Sequence, residues 1–160
     1  MTLPETLMLR LELMALNDLY TSILDNDRLE EWPRLFVDDC LYEIIPSENE
    51  DMGLPAPVML CDNIRMMRDR VVALRHANIY EKVAYRHMVS GLEFTVAEDG
   101  TITARSSYIV VNTSLEGFSE VYQAGSYRDV IVRTREGLRY KSRRCVYDTL
   151  KVQTLLAVPI

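Results

Sequence analysis

The sequence predicts an α+β domain: a strongly bent, mostly antiparallel sheet wrapped around N-terminal helices, closing as a cone with an open mouth. Three observations carry this. Apolar residues near the start recur at helical spacing, while the second half is a series of strand-like runs punctuated by turns. Helices grouped early against consecutive hairpins belong to α+β rather than to alternating α/β architectures. The last two runs, Phe118 to Val132 and Leu138 to Leu150, each exceed twice the usual strand length of ~5–6 residues, so they need a large curved sheet.

Thr2-Leu3-Pro4-Glu5 reads as a capping box for a helix whose apolar stripe is Leu9, Leu13, Leu16, Tyr20, Ile23 and Leu24, ending near Asp25. Asp27-Arg28-Leu29-Glu30 reads as a second capping box. Pro33 restricts the next segment to a short, broken helical turn through Phe36, with Trp32, Leu35 and Phe36 on its buried side. Cys40 to Ile45 is a short strand, and Pro46 to Leu60 a loop in which Pro46, Gly53, Pro55 and Pro57 block regular structure. Asp62 is placed to cap the next helix, with stripe Ile64, Met67, Val71 and Leu74. After an irregular stretch from His76 to Lys82 come strands over Tyr85 to Val96 and Thr101 to Ser114, joined at Glu98-Asp99-Gly100. Leu115-Glu116-Gly117 then turns the chain into the long pair, which folds back at Arg135-Glu136-Gly137. Thr149 to Val158 is expected to extend the last strand. No repeat, low-complexity tract or linker divides the chain, so residues 1–160 are read as one domain.

The long pair has no clean face. Strict alternation puts Val121, Gln123, Gly125, Tyr127, Asp129 and Ile131 opposite Tyr122, Ala124, Ser126, Arg128, Val130 and Val132. On the second strand it puts Leu138, Tyr140, Ser142, Arg144, Val146 and Asp148 opposite Arg139, Lys141, Arg143, Cys145, Tyr147 and Thr149. A sheet with one dry and one wet face alternates cleanly. Here both faces mix large apolar groups with charges, which predicts one face covered by the chain's own helices and the other partly covered by something else.

A chain of 160 residues can bury roughly 70% of its unfolded surface, and 48% hydrophobic with 26% charged content is that of an ordinary globular protein. No apolar run approaches the ~20 residues of a membrane span, and the start has neither the basic residues nor the cleavage site of a signal peptide. Cys40, Cys61 and Cys145 are odd in number and far apart, which suggests no disulfide framework and makes a reducing cytoplasm the expected location. A net charge of −6 argues against nucleic acid as the partner. Charge is segregated: residues 25–51 hold ten acids against Arg28 and Arg34, and residues 128–144 hold seven bases against Asp129 and Glu136. These are either two solvated faces or patches that meet across subunit contacts.

No phosphate-cradling glycine loop and no nucleophile elbow is present. Iron–sulfur ligation needs Cys or His ligands in close array, and none of the three cysteines has a second Cys or a His nearby. A site of two histidines and a carboxylate would have to use His76 and His87, eleven residues apart. The residues therefore predict no metal and no cofactor site, and no residue is assigned a catalytic role. Within a cone-shaped pocket, His87 with Asp39, Glu43 or Asp129, plus Tyr108 or Tyr127, could supply a base and a phenolic donor. The competing reading is that these groups satisfy one another as buried polar partners.

Ordered blocks of sequence add to this. Leu24-Asp25 through Trp32, Phe36, Asp39, Tyr42 and Pro46 is similar to the opening signature of the small (beta) subunits of ring-hydroxylating Rieske-type dioxygenases. Asp69-Arg70 followed by Tyr85-Arg86-His87-Met88-Val89-Ser90 resembles their central segments, and Gly125-Ser126-Tyr127-Arg128-Asp129 and Arg143-Arg144-Cys145-Val146-Tyr147-Asp148 resemble their last two strands. The texture of Ala73 to Glu81 is similar to the branch acting on aromatic carboxylates such as anthranilate, salicylate or terephthalate. Loop 47–60 matches no block of the family.

The resemblance implies an NTF2-like (cystatin-like) cone and a non-catalytic subunit of an oxygenase of aromatic-compound catabolism. It implies a partner large (alpha) subunit holding a Rieske [2Fe–2S] cluster and a mononuclear iron, three large with three small subunits, and small-subunit trimer contacts. On that reading Tyr85, Arg86, His87, Arg128, Arg143 and Arg144 are candidate interface residues. The alternatives are a stand-alone NTF2-like isomerase or dehydratase, or a small-molecule-binding protein, each with its own pocket.

Overall fold

The computed structural model describes residues 1–54, 56–76, 83–148 and 158–160. Helix α1 (Leu3–Asp25) leads into a 3-10 turn (Trp32–Leu35), strand β1 (Phe36–Pro46), helix α2 (Ser47–Asp51), strand β2 (Met59–Cys61) and helix α3 (Ile64–His76). Strands β3 (Ala84–Val96), β4 (Ile102–Thr113), β5 (Ser119–Thr134) and β6 (Gly137–Tyr147) come next. They form one six-stranded sheet in the order β2-β1-β6-β5-β4-β3. Within it β1 and β6 run parallel, and the other neighbours are antiparallel. The α+β cone is as expected, with β2 and α2 as additions inside the segment read as a loop.

Helix α1 starts at the expected capping box: the Thr2 amide donates to Glu5 Oε2 at 2.6 Å, and the Glu5 amide points back at Thr2 Oγ1. It buries the expected stripe, with Asn17 added to it. Two caps differ from expectation. Asp27 adopts φ 54° and ends α1 in a Schellman arrangement, Arg28 N–H on Ile23 C=O and Asp27 N–H on Leu24 C=O. Asp27 and Glu30 are therefore not a capping box. Their carboxylates instead hold Arg75 of α3, at 2.8 and 2.7 Å. Helix α3 is capped by Asn63, whose Oδ1 accepts from Arg65 N and Met66 N, and not by Asp62.

Two bulges explain the unclean faces of the long pair. On β5, Val121 and Gln123 pair with consecutive residues of β4, which leaves Tyr122 as the extra residue. On β6, Tyr140 and Ser142 pair with consecutive residues of β5, leaving Lys141 extra. Each bulge shifts the alternation by one and sharpens the local bend. The concave face is consequently Tyr127, Asp129 and Ile131 on β5 with Leu138, Tyr140, Arg143, Cys145 and Tyr147 on β6, all buried. Arg144 faces outward. At Gly125 a Cβ would lie 2.1 Å from Val146 C=O, so only glycine lets β5 and β6 approach there.

The core is α1, the 3-10 turn and α3 against this concave face. Trp32, Tyr20, Tyr42, Tyr108, Tyr127 and Tyr140 are fully buried inside it. Ile160, also buried, inserts among them: its carbonyl accepts from the Tyr20 and Tyr42 hydroxyls, and its N–H donates to Tyr42 Oη at 2.8 Å. The segments expected at 77–82 and 149–157 lie outside the described residues.

Candidate functional site

The interior of the cone, where a pocket would sit, is occupied by an ion pair in an aromatic cage. Arg143 donates through Nε and Nη2 to both carboxylate oxygens of Asp129, at 2.9 and 2.7 Å, and through Nη2 to Asn17 Oδ1 at 2.5 Å. Its guanidinium lies 4.1 to 4.2 Å from the ring centres of Tyr20, Tyr127 and Tyr140. Burial opposes the charge, yet the Asp129 carboxylate, with the Tyr140 and Tyr20 hydroxyl groups adding to it, holds the Arg143 pKa well above its ordinary value. Tyr108 stacks on Tyr127 at 4.3 Å and donates to Gln123 Oε1, and burial pushes its phenol far up. Such phenols and such an arginine are structural groups, not proton carriers near neutral pH.

The expected acid–base set is dispersed. His87 turns inward from β3, and its Nδ1 meets Asp25 Oδ1 at 2.6 Å, while its own amide also donates to the Asp25 carboxylate. This clamps the C-terminal end of α1 onto β3. Asp39 is exposed and pairs with Lys141. Glu43 lies on the convex face with Arg144. Asp129 is committed to Arg143. No two of these acids share a site with His87. A cleft of about 190 Å³ opens between α1 and β3, lined by Arg10, Met14, Asn17, Asp18 and residues 89–92. That is below the ~300–1,000 Å³ of ordinary ligand pockets. Among the described residues no group of three or more His, Cys, Asp or Glu could hold a metal ion.

The convex face carries a row of charges set by register. Glu93, Arg105, Arg128, Arg144 and Glu43 are direct cross-strand partners on β3, β4, β5, β6 and β1. Glu50 of α2 lies over the row: Arg144 donates to it at 2.9 and 2.5 Å and Arg128 at 2.6 Å. The acidic and basic segments of the sequence thus meet within one chain, because β1 pairs with β6 and α2 folds back across them. Glu50, Asp25 and Asn17 were not singled out by sequence reasoning. Asp25 carried a signal as part of the first family block, and Glu50 as part of the acidic segment 25–51.

Of the candidate interface residues, Arg128 and Arg144 are part-exposed on the convex face, and Arg86 is exposed on the edge strand β3, well away from them. Tyr85 faces inward, 5.7 Å from the Tyr122 ring. Arg143 is a correction: it is 0% exposed, since the bulge at Lys141 turns it into the core, and a charge enclosed there cannot meet a partner. The His87 side chain, 1% exposed, is likewise an internal clamp.

A SnoaL-like domain matches residues 5–144. The anthranilate 1,2-dioxygenase small subunit of Burkholderia cepacia is 58% identical over 93% of this chain and 92% of its own length. The chain belongs to the small (beta) subunits of aromatic-ring-hydroxylating dioxygenases. Subunit beta 2 of the terephthalate 1,2-dioxygenase terminal oxygenase of a Comamonas species is 35% identical over 94% of this chain and 97% of its own. Among solved structures, one assigned as the beta subunit of such a dioxygenase from Novosphingobium aromaticivorans superposes with a TM-score of 0.89 at 45% identity. It covers 97% of this chain and 99% of its own. A small subunit of a multicomponent oxygenase implies a large oxygenase partner. No helix among the described residues is long and apolar enough to cross a membrane.

Proposed function

We propose that this chain is the non-catalytic, structural small subunit of a Rieske-type oxygenase that hydroxylates an aromatic carboxylate, with anthranilate the first substrate to test. The observation that carries the reading is the filled interior. The cone holds six aromatic rings, Ile160 and a neutralised Arg143–Asp129 pair where an NTF2-like enzyme would need an open pocket. On this reading the Rieske cluster and the mononuclear iron reside in the large subunit, three of which assemble with three small subunits. The 58% identity to an anthranilate dioxygenase small subunit supports the substrate class.

Co-expression with the large subunit should give one complex that turns over anthranilate when supplied with a reductase. The isolated small subunit should show no turnover. A chain that never co-purifies with the large subunit, or that isomerises or dehydrates a substrate alone, defeats the proposal. The stand-alone isomerase or dehydratase loses support from the geometry, because its acid–base residues point to different faces.

A further inference from the structure

The cleft between α1 and β3 lies at a register shift. Ser90 pairs with Ser107 and Glu93 with Arg105, so Gly91 and Leu92 together stand opposite Ser106. Gly91 takes φ 66°, and a Cβ there would meet only Ser107 Oγ, at 3.9 Å. The bulge bends β3 locally. Helix α1 faces it with Arg10, Met14, Asn17 and Asp18, spaced along one side of the helix. The space between them is about 190 Å³. That is too small for a drug-sized ligand, but an apolar cavity of ~150 Å³ accepts a benzene ring.

The polar groups of the cleft have unused bonding capacity. Asn17, 7% exposed, accepts at Oδ1 from Tyr140 Oη at 3.0 Å and from Arg143 Nη2 at 2.5 Å. Two donors fix that oxygen toward the core, which leaves the Asn17 Nδ2 amide for the cleft, without an acceptor among the described residues. Arg10 gives one N–H to Leu92 C=O at 3.1 Å, and its guanidinium lies 5.6 Å over the Phe94 ring. No carboxylate pairs with Arg10 among the described residues. Asp18 stands about 12 Å further along the helix and pairs with no cation there either. Between the two charges, Met14, Val89 and Leu92 make the walls apolar.

We propose that this cleft binds a small aromatic monocarboxylate. The ligand's carboxylate takes the remaining N–H donors of Arg10. Its ring lies among Met14, Val89 and Leu92, where the thioether favours an aromatic neighbour. At the far end Asn17 offers a donor and Asp18 an acceptor, which suits a neutral amino or hydroxyl substituent. Asp18 also repels a second carboxylate, so a dicarboxylate is rejected by charge. The ligand class follows from the cleft; that it coincides with the substrate class of the complex rests on the proposed function.

An NMR titration of the isolated full-length chain with 4-aminobenzoate, benzoate and terephthalate tests this. The two monocarboxylates should bind saturably with a Kd of about 0.1–1 mM, as fits ligands of about ten heavy atoms. Amide shifts should centre on residues 10–18 and 89–92. Terephthalate should bind about tenfold more weakly or worse. Arg10→Gln should weaken 4-aminobenzoate about tenfold. Asp18→Asn should raise terephthalate to the level of benzoate, a gain that a folding defect cannot imitate. No saturable binding of either monocarboxylate, shifts centred elsewhere, or indifference to Arg10→Gln each overturn the proposal. So does wild type that takes terephthalate as readily as benzoate, or an Asp18→Asn chain that still rejects it. A chain that binds these acids yet never joins a large subunit keeps the site and defeats the proposed function. A complex that turns over anthranilate, built on a chain that binds none of them, does the reverse.

Discussion

Arg143 and Arg144 are neighbours in sequence with the same chemistry, and they do opposite things. Arg143 is sealed in the concave core, its side chain and that of Asp129 only 0% and 2% exposed. Arg144 lies on the convex face, one-third exposed, shared between Glu43 and Glu50. The first is a pair that cannot be separated without stranding a charge in a dry interior; the second is a strap that ties α2 down at the edge of solvent. A third pair, Arg75 with Glu30, has its acid 61% exposed and extends the series into water. The difference teaches that depth, not geometry alone, sets what an arginine–carboxylate contact is worth.

That comparison breaks first at Arg143. Arg143→Ala should destabilise the chain by about 3–5 kcal/mol, read as a fall in the denaturant midpoint, because Asp129 is left buried and unpaired. Replacing both partners, Arg143→Met with Asp129→Leu, should recover most of that loss; a double variant as unstable as the single one would contradict a simple stranded-charge account. Arg144→Ala should cost about 1 kcal/mol and act locally, seen as faster amide exchange across 47–51 with the rest of the sheet unchanged. Uniform exchange changes would mean α2 is held by other contacts. The smallest effect belongs to Glu30. Its hydrogen bond from Arg75 lowers its pKa from 4.5 to about 2. The folded pKa lies below the unfolded one, so the stabilisation is present above pH 4.5 and is lost as pH falls toward about 2. Exposure and salt keep it under ~1 kcal/mol, so Arg75→Ala should flatten the acid limb of the stability curve only slightly.

The overall cone was legible because its signals are periodic. Leu9, Leu13, Leu16, Tyr20, Ile23 and Leu24 repeat at helical spacing, and the hairpin glycines 100 and 137 adopt the positive φ their turns need. What failed was the assumption of unbroken alternation. A single inserted residue, Lys141, reverses which of Arg143 and Arg144 is inside, and nothing in the local sequence announces a bulge. β2 spans three residues and was too short to stand out within a Pro-containing loop. Asp27 and Glu30 matched a capping pattern, but their carboxylates went to Arg75, a long-range partner invisible to local rules. The row from Glu93 to Glu43 depends on the register of five strands. It became visible only once that register was known.

The three cysteines have a practical consequence. Cys40, Cys61 and Cys145 are buried in β1, β2 and β6, and burial raises each thiol pKa, to about 11 for Cys40 and about 12 for Cys145. Protonated and enclosed, they are slow toward alkylating reagents for as long as the chain stays closed. Each becomes a timer: label reaching Cys61 on the short edge strand records peeling of that edge, whereas label at Cys145 records opening of the sheet's middle.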